Sequence, residues 1–304
     1  MASYLLGVAT SHHVENPMVD PSPIAAARTA LGPLLLAIVI GLMALEYTAS
    51  RLARVDTHDI DETAASFVIA FGHQIIRTME AAVVSVPLFL AYNHRLFDID
   101  LASPVAWIAF FVIVEFVYYW HHRASHQVRW LWATHAVHHS STRINLTAGI
   151  RLGWTAGLSG HYLIYVPLAL IGFHPIAIVI ALSLNLGYQF FIHSEWLPYL
   201  GFLEWILNSP SHHRLHHACN ETCLDKNFGG TLIVFDRLFG TFTEQPAKET
   251  LCYGLAGQAR TLNPFKIVFG EWLAMFAEFR AAKSGWKQRL SILFGPPGAG
   301  QHSA

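Results

Sequence analysis

Residues 102–139 read ASPVAWIAFFVIVEFVYYWHHRASHQVRWLWATHAVHH. The first half of this stretch, 102–120, carries one charged side chain, Glu115. At 1.5 Å of rise per residue it is long enough, as a helix, for a hydrocarbon core of about 30 Å. Directly behind it stand His122 and His126, an HxxxH, and then His135, His138 and His139, an HxxHH. On a helix, positions i and i+3 or i+4 share a face, so each motif aims a pair of imidazoles in one direction. The two adjacent histidines of HxxHH diverge by about 100°, so one helix can feed two metals side by side.

The same signature returns downstream. His213, His216 and His217 form a second HxxHH, and His193 ends the apolar run before it. The chain has 19 histidines in 304 residues, eleven of them inside the windows 121–139 and 193–217. The four elements supply nine imidazoles, too many for one ion and suited to two borderline metals. Imidazole accepts iron, zinc, copper and nickel alike, so the ligand type does not choose the metal. A catalytic zinc site typically has three protein ligands, often with an HExxH base, and no HExxH occurs here. Two redox irons at the mouth of an apolar bundle suit oxygen activation against an inert C–H bond of a lipid.

Composition agrees with a membrane class. Lys and Arg number 19 against 20 Asp and Glu, so there is no basic excess to hold nucleic acid. Charged residues are 13% of the chain, about half the soluble norm, 53% are hydrophobic, and the mean hydropathy is +0.38. Cys219, Cys223 and Cys252 form no CxxC pair and read as bystander thiols.

Other apolar runs frame the motifs. Residues 31–49 are a span, and Arg51 and Arg54 behind them mark a cytoplasmic exit. Residues 65–92 carry His73, Arg77 and Glu80 on one helical face, either a structural network or a substrate access route. Residues 155–172 and 175–193 are barely long enough to cross and read as a re-entrant hairpin broken near Gly172 and Pro175. The stretch 265–279 is amphipathic and fits the membrane interface. Residues 1–30 read as an extended lead-in, 31–294 as the membrane domain and 295–304 as a disordered tail. The predicted fold is all-α, multi-pass and integral to the membrane, with a His-rich metal-binding cap facing the cytoplasm.

A ligating imidazole usually donates its other N–H to an acceptor. Glu115, Asp225 and Asp236 are candidates for that role. His121 and His212 stand beside motif histidines and are placed behind the ligands, with Gln189 and Asp225. His161 and His174 read as core or interface residues. Asn145 and Arg151 are candidates for meeting a lipid headgroup. Gly229 and Gly230 in DKNFGG read as a turn; a part in closing the metal cap is the alternative.

The strings EFVYYWHHRASH (115–126), WATHAVHHSS (132–141), QFFIHSEW (189–196), LEWILNSPSHHRLHH (203–217) and DKNFGGTLIVFDRLFGTF (225–242) resemble the fatty acid hydroxylase / sterol desaturase superfamily of membrane di-iron oxygenases, and within it the alkylglycerol monooxygenase branch. The resemblance implies metal ligands at His122, His126, His135, His138, His139, His193, His213, His216 and His217. It implies two iron ions, O2, a lipid substrate, and an external electron donor, either tetrahydrobiopterin or a redox partner protein. Some relatives place a further His four residues before the equivalent of His193, where this chain has Gln189. The implied activity is hydroxylation of a lipid C–H bond. The alternatives are a sterol or carotenoid desaturase or hydroxylase and, in another class, a membrane metal-binding or transport protein.

Overall fold

In the computed structural model, which describes residues 21–197, 199–245, 249–283 and 285–297, the apolar runs are helical except at 155–160, which form turns. The helices are α1 (Pro21–Ala53), α2 (Ile60–Asn93), α3 (Pro104–Gln127), α4 (Arg129–His139), α5 (Val166–Ile171), α6 (Pro175–Ile192), α7 (Pro210–His216), α8 (Val234–Phe239), α9 (Pro264–Ala281) and α10 (Gly285–Phe294). Among the described residues there is no strand, only isolated bridges between Leu207 and Leu232 and between Ala218 and Tyr253. The all-α expectation holds.

Cα packing separates Met1–Ala44 from Leu45–Ala304, the line falling inside α1. The described part of the first unit is helix from Pro21. Residues 21–30 are therefore helical where an extended lead-in is expected. Pro21 and Pro23 fall in the first turn, where a missing N–H has no intrahelical partner to lose. Residues 1–20, with His12 and His13, lie outside the described residues.

Among the described residues, four helices are long and apolar enough to cross a bilayer: Gly32–Ala53, Ile60–Asn93, Pro104–Gln127 and Pro175–Ile192. His161–Ile171 is too short, so the predicted hairpin has one full member and one partial one. Four helices start with a capping residue followed by proline: Ser103-Pro104, His174-Pro175, Ser209-Pro210 and Asn263-Pro264. In each, the side chain before the proline accepts a backbone N–H of the first turn, and the proline fixes φ without wasting a donor.

The hairpin turn is tight. Leu96 and Phe97 donate their backbone N–H groups to the carbonyls of Leu170 and Ile171 at the end of α5. Gly172 follows with φ 137, and a Cβ there would stand 2.1 Å from the Phe97 carbonyl oxygen. Gly172→Ala is expected to lower stability by about 2–4 kcal/mol, from backbone strain plus a clash with immobile backbone. A drop in the detergent unfolding midpoint, absent for Gly187→Ala where a Cβ meets open space, is the check.

His73 and Glu80 belong to a structural network. His73 Nδ1 donates to the Gly153 carbonyl (3.0 Å), and Glu80 accepts the Gly157 N–H (3.2 Å). The amphipathic α9 buries Ile267, Val268, Trp272 and Met275 against the protein and leaves Phe265, Leu273 and Phe276 exposed. Trp272 and Met275 pack on Ala133 of α4, and Arg129 makes a bidentate pair with Glu278 at 2.5 and 2.7 Å. The start of the expected tail is also fixed, since the Gly295 carbonyl accepts the Arg129 N–H. Residues 298–304 lie outside the described residues.

Candidate metal centre

The C-terminal end of α3, all of α4, the residue after α6 and the short α7 converge. Their nine motif histidines sort into two groups: His122, His126, His135, His139 and His216, and then His138, His193, His213 and His217. Within each group one ring nitrogen per residue lies within 4.8 Å of all the others. Eight of the nine are buried and His135 is half-buried. The two HxxHH motifs divide in opposite senses. On α4 the i, i+4 pair His135/His139 joins the first group and His138 the second. On α7 the pair His213/His217 joins the second and His216 the first. The groups are adjacent, with the His139 and His217 rings stacked at 4.3 Å.

Backbone carbonyls hold the rings in place. His122 Nδ1 donates to Phe228 O (2.7 Å), His138 Nδ1 to Arg151 O (3.2 Å), His193 Nδ1 to Gln189 O (2.7 Å) and His216 Nδ1 to Lys226 O (2.8 Å). A neutral imidazole that donates from Nδ1 has a bare lone pair on Nε2. Burial keeps these rings neutral: it pushes His138 down to about 3 and His193 down to about 4, and holds His135, His139, His213, His216 and His217 well below the usual range.

The lone pairs then face each other. His138 Nε2 and His193 Nε2 are 3.2 Å apart, and neither has a proton to share. His193 and His213 meet at 3.0 Å, His213 and His217 at 3.1 Å, His122 and His135 at 3.0 Å, His135 and His139 at 3.2 Å. Two nitrogens bound at right angles to one ion at about 2.1 Å are separated by about 3.0 Å. The buried Nε2 atoms of His126 and His216 have no hydrogen-bond partner among the described residues. A cation in the second group resolves the His138–His193 repulsion and one in the first group gives His126 and His216 the partner they lack, so the residues fit the metals that the motifs imply.

The cap loop after α7 serves the first group. Asp225 and Asn227 both adopt positive φ, 57° and 55°, a conformation that Asp and Asn tolerate better than most residues. That winding turns the carbonyls of Lys226 and Phe228 toward His216 and His122. Asp236 clamps the loop by accepting the N–H of Phe228 and of Gly229, both at 2.7 Å. Glu115 ties the next residues to α3 by accepting from Thr231 N (2.8 Å) and Leu232 N (3.0 Å). Both carboxylates therefore hold the loop and not a ligand imidazole. The DKNFGG string is at once a turn and part of the metal cap.

Asp225 faces His126 Nδ1 at 3.5 Å. His121 binds His161 (2.9 Å) and His212 faces Glu204 (3.5 Å), so neither joins a group. Gln189 holds His193 through its main-chain carbonyl. Its side chain accepts from Tyr118 and donates to Asn185, and is not free to act as a ligand. Asn145 and Arg151 do not reach lipid. Asn145 is buried on the Thr57 carbonyl, and the Arg151 guanidinium, 1% exposed, donates to Ser66, Ser140 and the Glu62 carbonyl. Residue type hides this role for Arg151, because what it offers the site is its carbonyl.

The fatty acid hydroxylase family model matches residues 107–241, the interval that contains every motif histidine. Alkylglycerol monooxygenase of Xenopus tropicalis is 40% identical over 213 residues, 70% of this chain and 47% of that protein. The human alkylglycerol monooxygenase matches to the same extent. An ornithine lipid hydroxylase of Rhizobium tropici is 28% identical over 183 residues, 59% of this chain and 54% of that protein. The chain spans about half the length of the curated relatives it matches. No solved structure matches it. With the histidine pattern, the helical membrane frame and these relatives in agreement, the chain belongs to the fatty acid hydroxylase superfamily.

Proposed function

We propose that this chain is an O2-dependent membrane monooxygenase that hydroxylates a C–H bond of a lipid. The carrying observation is the pair of adjacent, buried, all-imidazole cages set at the ends of apolar helices. His122, His126, His135, His139 and His216 would hold one iron; His138, His193, His213 and His217 would hold the other. Iron in both cages supplies O2 activation and oxidation of an unactivated carbon, with electrons from an external donor, tetrahydrobiopterin or a redox protein. The chain's own residues do the rest. The four Nδ1–carbonyl bonds fix each tautomer, and burial keeps the imidazoles unprotonated and excludes bulk water. No histidine has to act as an acid or base. The alkylglycerol monooxygenases make ether lipids the first substrate class to test. The ornithine lipid hydroxylase makes lipids with acyl chains the second.

The metal side faces the cytoplasm in this reading. Arg51 and Arg54 close α1, and Arg129, Arg143, Arg151, Arg214 and Lys226 lie in the cap. The opposite loop between α2 and α3 carries Arg95 as its one Lys or Arg. That asymmetry follows the positive-inside rule.

The test is protein from iron-replete cells, reconstituted in lipid nanodiscs with a panel of alkylglycerols, acyl lipids, sterols and carotenoids. The expected result is two irons per chain and O2 uptake matched by loss of an ether or acyl lipid with gain of one oxygen. Oxidation or desaturation of a sterol or carotenoid alone would replace the substrate assignment. Metal without O2-dependent loss of any lipid would leave a metal-binding or transport protein.

A further inference from the structure

Outside the two cages, a cavity of about 820 Å³ opens on the metal side of the protein. Its walls come from the connection between α1 and α2 (Asp56, Thr57), the segment after α4 (142–144), Glu195, Arg214 and the segment 249–253. Asp56 lies three residues beyond the end of α1 and four before the start of α2, which sets the cavity at the membrane–water boundary. Arg214 adjoins His213 in sequence and Glu195 follows His193 by two, so two of its charged walls belong to the segments that carry the second cage.

The charges in it are unequally engaged. Arg143 donates to Asp56 at 2.5 Å, and Glu249 accepts from Asn220 and Thr222. Arg214 and Glu195 have no such partners. Among the described residues neither makes an ion pair or a side-chain hydrogen bond, and Arg214 Nη1 is buried without an acceptor. A buried guanidinium nitrogen left unpaired is costly, and its fork geometry suits a phosphate or carboxylate. The carboxylate of Glu195 in the same space suits an ammonium. Asp56 and Glu249 make the cavity unattractive to a bare anion.

We propose that this cavity binds a small zwitterion, its phosphate or carboxylate on Arg214 and its ammonium on Glu195. A lipid headgroup of the phosphoethanolamine kind and a free soluble zwitterion share that chemistry. The inference stands apart from the oxygenase reading, since binding needs no turnover.

Cys252 lines the cavity and is exposed, so its alkylation rate reports occupancy. The experiment uses the full-length, metal-loaded protein in detergent, with labelling of Cys252 followed by peptide mass spectrometry. Phosphoethanolamine at a few times its Kd is expected to slow labelling by about five-fold, and inorganic phosphate or ethanolamine alone by much less. Arg214→Gln is expected to abolish the protection. Glu195→Gln is expected to remove the preference for phosphoethanolamine over phosphate. Iron content equal to wild type verifies that each variant is folded, and the wild-type ranking of the three probes decides the matter even if a variant is not. Protection in phosphatidylethanolamine nanodiscs, absent in phosphatidylglycerol ones, assigns the site to a headgroup; protection by the soluble compound alone assigns it to a free ligand. No protection by any probe, equal protection by all three, or protection unchanged in both variants overturns the proposal.

Discussion

His138→Ala is expected to hold one iron per chain, against an expected two in the wild type. It removes one imidazole from a cage of four, leaving three and an orphaned Arg151 carbonyl. His216→Ala removes one from a cage of five, so it is expected to load fully but to surrender one iron to a chelator that leaves the wild type intact. Lipid oxidation should fall by more than about 100-fold in both, because even residues supporting a metal ligand cost about 10–100-fold when removed. His121→Ala and His212→Ala should keep both irons, since these rings bind His161 and face Glu204. Metal analysis of the four variants, with and without chelator, is the check. Unchanged iron in His138→Ala under chelator would remove the second cage.

The second large effect lies inside the bilayer. Glu115, 1% exposed, accepts from three donors: Asn185 Nδ2 (2.5 Å), Thr231 N and Leu232 N. Asn185 then accepts from Gln189, and Gln189 from the Tyr118 hydroxyl, giving a relay with one sense of donation. Glu115→Ala orphans one buried and two part-buried donors, the buried one at about 1–3 kcal/mol and the others toward the lower end, so a loss of about 3–6 kcal/mol is expected. The 231–232 backbone would lose its tie to α3, while Asp236 and Asn208 would still hold Phe228 and Gly229. Glu115→Gln should be far milder, at about 1 kcal/mol. Its oxygen can keep the two backbone donors while its amide donates to a flipped Asn185, the inversion passing through Gln189 to Tyr118. Thermal unfolding and iron content of the two variants separate these cases. Equal damage from Gln and Ala would show that the relay cannot invert.

The spans and the nine histidines were legible in the sequence because both are periodic signals. Apolar runs such as 102–120 declare their length, and HxxxH or HxxHH declares a face. The division into five and four was only half legible. HxxHH shows that its adjacent rings diverge, but only the folded arrangement shows that the i, i+4 pair stays together while the i+3 histidine crosses to the other cage. The orienting acceptors were not legible. Glu115 and Asp236 were natural candidates by residue type, yet four rings bind main-chain carbonyls, which leave no mark in a sequence. Arg151 looked like a surface cation and is buried, because Ser66, Ser140 and Glu62 surround its guanidinium. The amphipathic 265–279 pattern announced an apolar face without saying that α4 covers the part of it around Trp272 and Met275.

The dispersal of the ligands along the chain also sets a timetable for biogenesis. The first histidine of the centre is residue 122, the last is 217, and the carbonyls that steady His216 and His122 belong to residues 226 and 228. The second cage needs α6 in place and the chain out to His217, and the first needs α3 in place and the chain out to Phe228. Ion capture is therefore a late event, after insertion, and needs a cap not yet sealed. Ions bound in both cages would tie the four ligand-bearing segments to one another.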